Sequence, residues 1–167
     1  MRGLVFAAAL CVAQPVSALT CMQGDIARDW QTASDASEDY RVVIGRLTFD
    51  ASLLPEMSND APQETLIPAQ IDGRSLTTSG FDAPYARDVT LTVRCFGPWC
   101  GATTSGVQHL MFVKETSAGA EVELTPCPGM IYAEPSQALA DQVLTCAQEG
   151  CTPGQPQRGG PAPGALK

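Results

Sequence analysis

The sequence predicts a mainly β domain: a small closed or partly open antiparallel barrel with a helix at each end, stabilised by disulfides. Three observations carry this. Strand-like segments follow one another between residues 40 and 127 with no helical segments between them, which excludes a doubly wound parallel sheet. The first of these segments holds a glycine inside an apolar, β-branched run, the mark of a strand that bends. An even set of cysteines remains once an N-terminal leader is set aside, as suits an oxidising compartment.

The leader reads MRGLVFAAALCVAQPVSA. Arg2 gives the positive start, Gly3 to Ala13 an apolar stretch too short to span a bilayer, and Val16-Ser17-Ala18 a small-residue cleavage site. This predicts a signal peptide over residues 1–18. Removing 18 of 167 residues leaves 149, takes the net charge from -8 to -9, and leaves six cysteines from seven. The odd one, Cys11, goes with the leader. Lipid attachment at Cys21 is disfavoured, because Thr20 is a poor fit before a lipidated cysteine and five cysteines would leave one unpaired. Few lysines and abundant alanine point to a bacterial source, hence to the periplasm or secretion. The acidic balance excludes nucleic acid as a partner, since phosphates require a basic surface. A mean hydropathy of +0.00 excludes a multi-span membrane protein, and no stable span is expected in the mature chain.

Ile26, Trp30 and Ala33 recur at helical spacing behind Asp25, a capping residue, so a short helix is expected at about 25–36, with Trp30 as a core anchor. YRVVIGRLTF, residues 40–49, is a strand with Gly45 at a bulge or bend. Residues 50–64 read as a loop. In ETLIPAQIDGRSL, Asp72-Gly73 is a turn signal that predicts a hairpin, and Pro68 predicts an edge strand or bulge. Residues 78–87 read as a loop. RDVTLTVRCF alternates cleanly, with Val89, Leu91, Val93 and Cys95 on one face. GVQHLMFVKE and AEVELTPC should pair as a hairpin across Ser117-Ala118-Gly119. Leu139, Val143 and Cys146 mark a helix at about 135–148, with Pro135 in its first turn and Gly150 past its end. The single domain then covers 19–151, and the Pro/Gly-rich segment 152–167 is a disordered tail.

Six cysteines allow 15 connectivities. The preferred set joins Cys95 to Cys100 across Phe96-Gly97-Pro98-Trp99, Cys146 to Cys151 across a helix end, and Cys21 to Cys127, closing the longest loop.

The order of these features resembles the netrin-like module, whose best-known members are the tissue inhibitors of metalloproteinases. The shared elements are an early cysteine, a bent strand with a glycine (VVIGRL), a Cys-Gly followed by a polar loop and strand (WCGATTSGVQHLMFV), a cysteine after the next strand (VELTPC) and a helix leading to a late cysteine (LADQVLTC). The resemblance covers about residues 21–146 and implies a five-stranded OB-fold barrel with helices packed on it. In those inhibitors the first mature residue is a cysteine whose amine and carbonyl bind the protease zinc. Here cleavage after Ala18 makes Leu19 first, and the paired Cys-x-Cys start is absent.

The remaining constellations argue against catalysis. The spacing in CFGPWCG exceeds that of a redox-active pair and suits a structural disulfide. His109, the only histidine, alternates with Val107 and Met111 and reads as a partly buried strand residue rather than a base for Cys100. Asp35, Glu38 and Asp39 lack a calcium-loop pattern, and no metal or cofactor is expected. Phosphate-loop, dinucleotide and nucleophile-elbow motifs are absent. Phe81, Tyr85, Phe96 and Trp99 fall in or beside predicted loops and are the candidate ligand-binding residues. The sequence thus predicts an exported, non-enzymatic binding module whose partner is another envelope or extracellular protein. A netrin-like metalloprotease inhibitor is the alternative, and an exported enzyme the third reading.

Overall fold

A computed structural model describes residues 19–154. The expected leader, and the expected tail from residue 155 onward, lie outside the described residues. Helix α1 (Ile26–Asp35) starts where Asp25 Oδ1 accepts from the Ala27 N–H at 3.0 Å. In α2 (Gln137–Glu149) the same part is played by Ser136, whose Oγ accepts from the Leu139 N–H at 3.2 Å. Pro135 therefore stands one residue ahead of the cap and not in the first turn, because the serine hydroxyl satisfies an otherwise orphaned N–H. Gly150 ends α2 at φ 75°, a conformation that favours glycine. Among the described residues no helix is long and apolar enough to cross a membrane.

Between the helices lie β1 (Asp39–Phe49), a one-turn 3-10 helix (Ala51–Leu53), β2 (Glu64–Thr77), β3 (Gly80–Phe96), β4 (Trp99–Cys100), β5 (Gln108–Thr116), β6 (Gly119–Leu124) and β7 (Ile131–Ala133). Five of them form a ring: β1 pairs β2, β2 pairs β3, β3 pairs β6, β6 pairs β5, and β5 returns to β1. The ring corrects the antiparallel expectation at one place, since Thr90–Val93 of β3 runs parallel to Glu121–Leu124 of β6. The reason is parity: strands that alternate in direction cannot close on themselves when their number is odd. β5 opposes β1 and β6 opposes β5, so β6 reaches β3 pointing the same way.

The Asp72-Gly73 hairpin is a second correction. These residues lie inside β2, where Gly73 pairs with Gly45 of β1. Neither is a turn or bulge; the two glycines let the backbones approach. A Cβ on Gly45 would sit 2.8 Å from both the Asp72 oxygen and the Gly73 Cα. The true turn is Thr78-Ser79, and the expected loop 78–87 mostly belongs to β3, with Thr77 opposite Gly80. Pro68 lies in a stretch of β2 that is paired with β3 alone, a local edge as expected. It stands one residue beyond the β1 ladder, which reaches only Ala69.

Alternation sorts the side chains into two layers. Odd-numbered positions of β1, of β5 and of β3 from Tyr85 onward face the ring interior, where Val43, Leu47, Leu91, Val93, Met111 and Val113 are buried. Even-numbered Val42, Leu110 and Phe112 face the helices and pack with Ile26, Val143 and half-buried Trp30. Both faces of β1 and β5 are therefore apolar, which accounts for the runs RVVIG and HLMFV.

The cysteines pair as Cys21–Cys127, Cys95–Cys100 and Cys146–Cys151, with Cα separations of 5.2, 4.0 and 4.7 Å. Cys95 and Cys100 face each other across the β3–β4 ladder. α1 is fastened by its buried Asp29, whose Oδ2 accepts from the Met130 N–H at 2.9 Å and the Tyr132 hydroxyl at 2.5 Å.

Candidate functional site

The ring is open beside the first half of β1. β1 pairs β5 from Asp39 to Arg46, but its ladder with β2 begins only at Val43–Ser75. At that point the β2–β3 register slips by one residue, from Ser75–Ala83 to Leu76–Phe81, leaving Asp82 without a ladder partner. A bulge of this kind bends its strand and ends pairing with a neighbour. The hairpin tip turns toward the helices: Leu76 and Phe81 pack on their layer, and Gln148 Nε2 donates to the Thr78 carbonyl at 2.7 Å. The tip is held in shape by Asp82, which accepts from the Thr77 hydroxyl at 2.7 Å and the Ser79 hydroxyl at 2.5 Å. Those hydrogen bonds lower the Asp82 carboxyl below its ordinary value.

The space left between β1 and the tip is a cleft of about 610 Å³. Its floor is Asp39–Val42, its flank is Leu76–Thr78, and Trp30 and Ala147 reach it from the helices. At its base the ring's interior alternation ends in charge. Arg41 continues the positions of Val43 and Leu47, Arg87 those of Val89 and Leu91, and Glu115 those of Met111 and Val113. Glu115 accepts hydrogen bonds from Arg87 Nη1 at 2.9 Å and the Tyr85 hydroxyl at 3.1 Å, and forms an ion pair with Arg41 Nε at 3.4 Å. Burial, reinforced by the Glu115 charge, pushes the Tyr85 phenol up to about 12, so it remains a donor at neutral pH. The Arg41 side chain is 61% exposed and touches Glu115 through Nε alone; Arg87 does so through one Nη. Both guanidiniums keep N–H groups directed elsewhere than Glu115.

The four aromatic candidates do not form one surface. Phe81 packs on the helix layer, and Tyr85 is buried in the ring with its hydroxyl on Glu115. Phe96 and Trp99 sit at the far end of β3, flanking the turn into β4, with Phe96 exposed and Trp99 half-buried. His109 is fully buried, not partly so. Its Nδ1 donates to the Val107 carbonyl at 3.1 Å, and Nε2 meets the Thr103 hydroxyl at 2.7 Å. Burial lowers the imidazole below its ordinary value, so the ring is neutral and Thr103 donates to it. Cys100 is bonded to Cys95 and offers no thiol to His109. No group of three or more His, Cys, Asp or Glu side chains placed to hold a metal occurs among the described residues.

Arg41, Arg87 and Glu115 escaped the sequence reading. The available signal was a charge at the next interior position of three otherwise apolar alternations. Comparison with known protein families, with curated proteins and with solved structures finds no match to this chain.

Proposed function

We propose that the chain is an exported, non-enzymatic binding module that takes another envelope or extracellular protein at the seam between β1 and the β2–β3 tip. The observation that carries this is the cleft itself. It has the volume of a ligand site, a stretch of strand paired on one side only for a floor, and two arginines with donors to spare. The strand order β1–β2–β3–β6–β5 supports reading the ring as a five-stranded OB-type barrel. The three cysteine pairs support an oxidising compartment, periplasmic or extracellular.

The test is photo-cross-linking in the native compartment. A benzophenone side chain at exposed Thr78, on the cleft, should capture a discrete partner. The same group at Glu56, in the loop beyond the other end of β1, should not. Capture at neither position, or equally at both, overturns the proposal.

A metalloprotease inhibitor is the second reading. One observation favours it: the Cys21–Cys127 bridge ties the N-terminal segment to the end of β6 while Met22 stays 69% exposed. A mature N-terminus at Leu19, with no inhibition of zinc proteases, eliminates it.

A further inference from the structure

The floor of the cleft is backbone. Asp39–Val42 of β1 is hydrogen-bonded as a ladder to β5 alone, because β2 has turned away beyond Ser75. In a strand paired on one side, alternate residues direct both N–H and C=O to the open side, and such an edge is a template for another chain. Four residues at about 3.3 Å each expose roughly 13 Å of edge, room for a short extended segment. The walls fit alternate side chains of such a segment: Trp30 and Leu76 are apolar, and Arg41 and Arg87 are cationic. A guanidinium matches a carboxylate in a two-point hydrogen-bonded fork. Glu115 hydrogen-bonds Arg87 and lies within ion-pair distance of Arg41, each through one nitrogen. Asp39 opposes an anion, but it stands two residues from Arg41, about 7 Å along the strand. An incoming carboxylate on the arginines therefore avoids it.

Resting on the reading of the cleft as a binding site, we propose that its ligand is an extended peptide segment that adds as a strand to Asp39–Val42 and places an Asp or Glu side chain on Arg41 and Arg87. The strand edge supplies affinity and the arginines fix the register.

The probe is a synthetic array of capped, six-residue peptides of randomised sequence, with binders re-measured by fluorescence anisotropy on the disulfide-bonded protein. Binders should carry Asp or Glu at one fixed position, and replacement of that residue by Lys should weaken binding at least tenfold. The Arg41→Gln/Arg87→Gln protein should lose the acidic preference while keeping its unfolding midpoint, since both side chains lie on the rim. Methylating alternate backbone nitrogens of a binder should weaken it at least tenfold without altering its charge. An array without acidic preference, or a methylated peptide that binds undiminished, overturns the inference. If that happens while Thr78 still cross-links a partner, the binding-module reading stands and only the ligand class falls.

Discussion

Removing the Cys21–Cys127 bridge is the sharpest test of how the module is held together. The bridge joins residues 106 apart, whereas the other two each span a separation of 5. In the chain-entropy model, closing a loop of that length removes about 16 cal/mol/K from the unfolded ensemble, or about 4.8 kcal/mol at 25 °C. The short bridges come to about 2 kcal/mol each on the same relation. Both Cys21 and Cys127 are half-buried, so serine at each position leaves little unsatisfied. Cys21→Ser/Cys127→Ser should therefore lower stability by more than twice the loss from Cys146→Ala/Cys151→Ser, with alanine at Cys146 because that position is buried. Domains of this kind hold roughly 5–15 kcal/mol in total, so the loss is a large share and lowers Tm by about 15 °C. Urea unfolding followed by tryptophan fluorescence measures both variants against the parent. A loss for the long bridge equal to or below that for the short one refutes the reasoning. It would mean that residual structure in the unfolded chain already holds the two segments together.

Gly73→Ala should cost about 2–3 kcal/mol in the same assay, because its Cβ would overlap the Ile44 carbonyl and Gly45 Cα across the ladder. Asp29→Ala strands the Met130 N–H and the Tyr132 hydroxyl, so a loss of about 2–4 kcal/mol is expected, with Tyr132→Phe costing less. His109 is held below 6.5 by burial, so the unfolded chain takes up its proton first. Stability should be full above pH 6.5 and decline as pH falls through that value, and His109→Gln should flatten the decline in urea midpoints. Deleting Asp82 should restore the β2–β3 register and extend the β1–β2 ladder into the cleft; hydrogen exchange at Tyr40 and Val42 should then slow. Unchanged exchange would show that the bulge does not open the seam.

The elements legible in the sequence are those whose signal is local. Asp25 caps α1, and Leu139, Val143 and Cys146 repeat at the period of α2. Val89 to Val93 alternates because one face of β3 lines the ring interior. The elements that were missed depend on partners distant in sequence. Asp72-Gly73 has the composition of a turn, yet Gly45, 28 positions earlier, turns it into a close contact between two strands. Composition records that glycine is needed there and not why. The parallel β3–β6 pair likewise follows from closure of the whole ring, which no single segment encodes.

The cleft was the least legible feature, for a related physical reason. Its opening depends on one unpaired residue, Asp82, in a segment whose Phe81, Pro84 and Tyr85 resemble a loop. Its charges come from three strands, and each charge taken alone looks like an ordinary solvated strand end. Only closure of the ring brings Arg41, Arg87 and Glu115 onto one mouth. Arg41 and Arg87 are partly exposed at this mouth, so a charge suits both positions. A buried tyrosine hydroxyl is aimed at the carboxylate. The carboxylate contacts both guanidiniums, and the seam beside them keeps a strand edge unpaired. The proposed site for an extended acidic segment draws on both features.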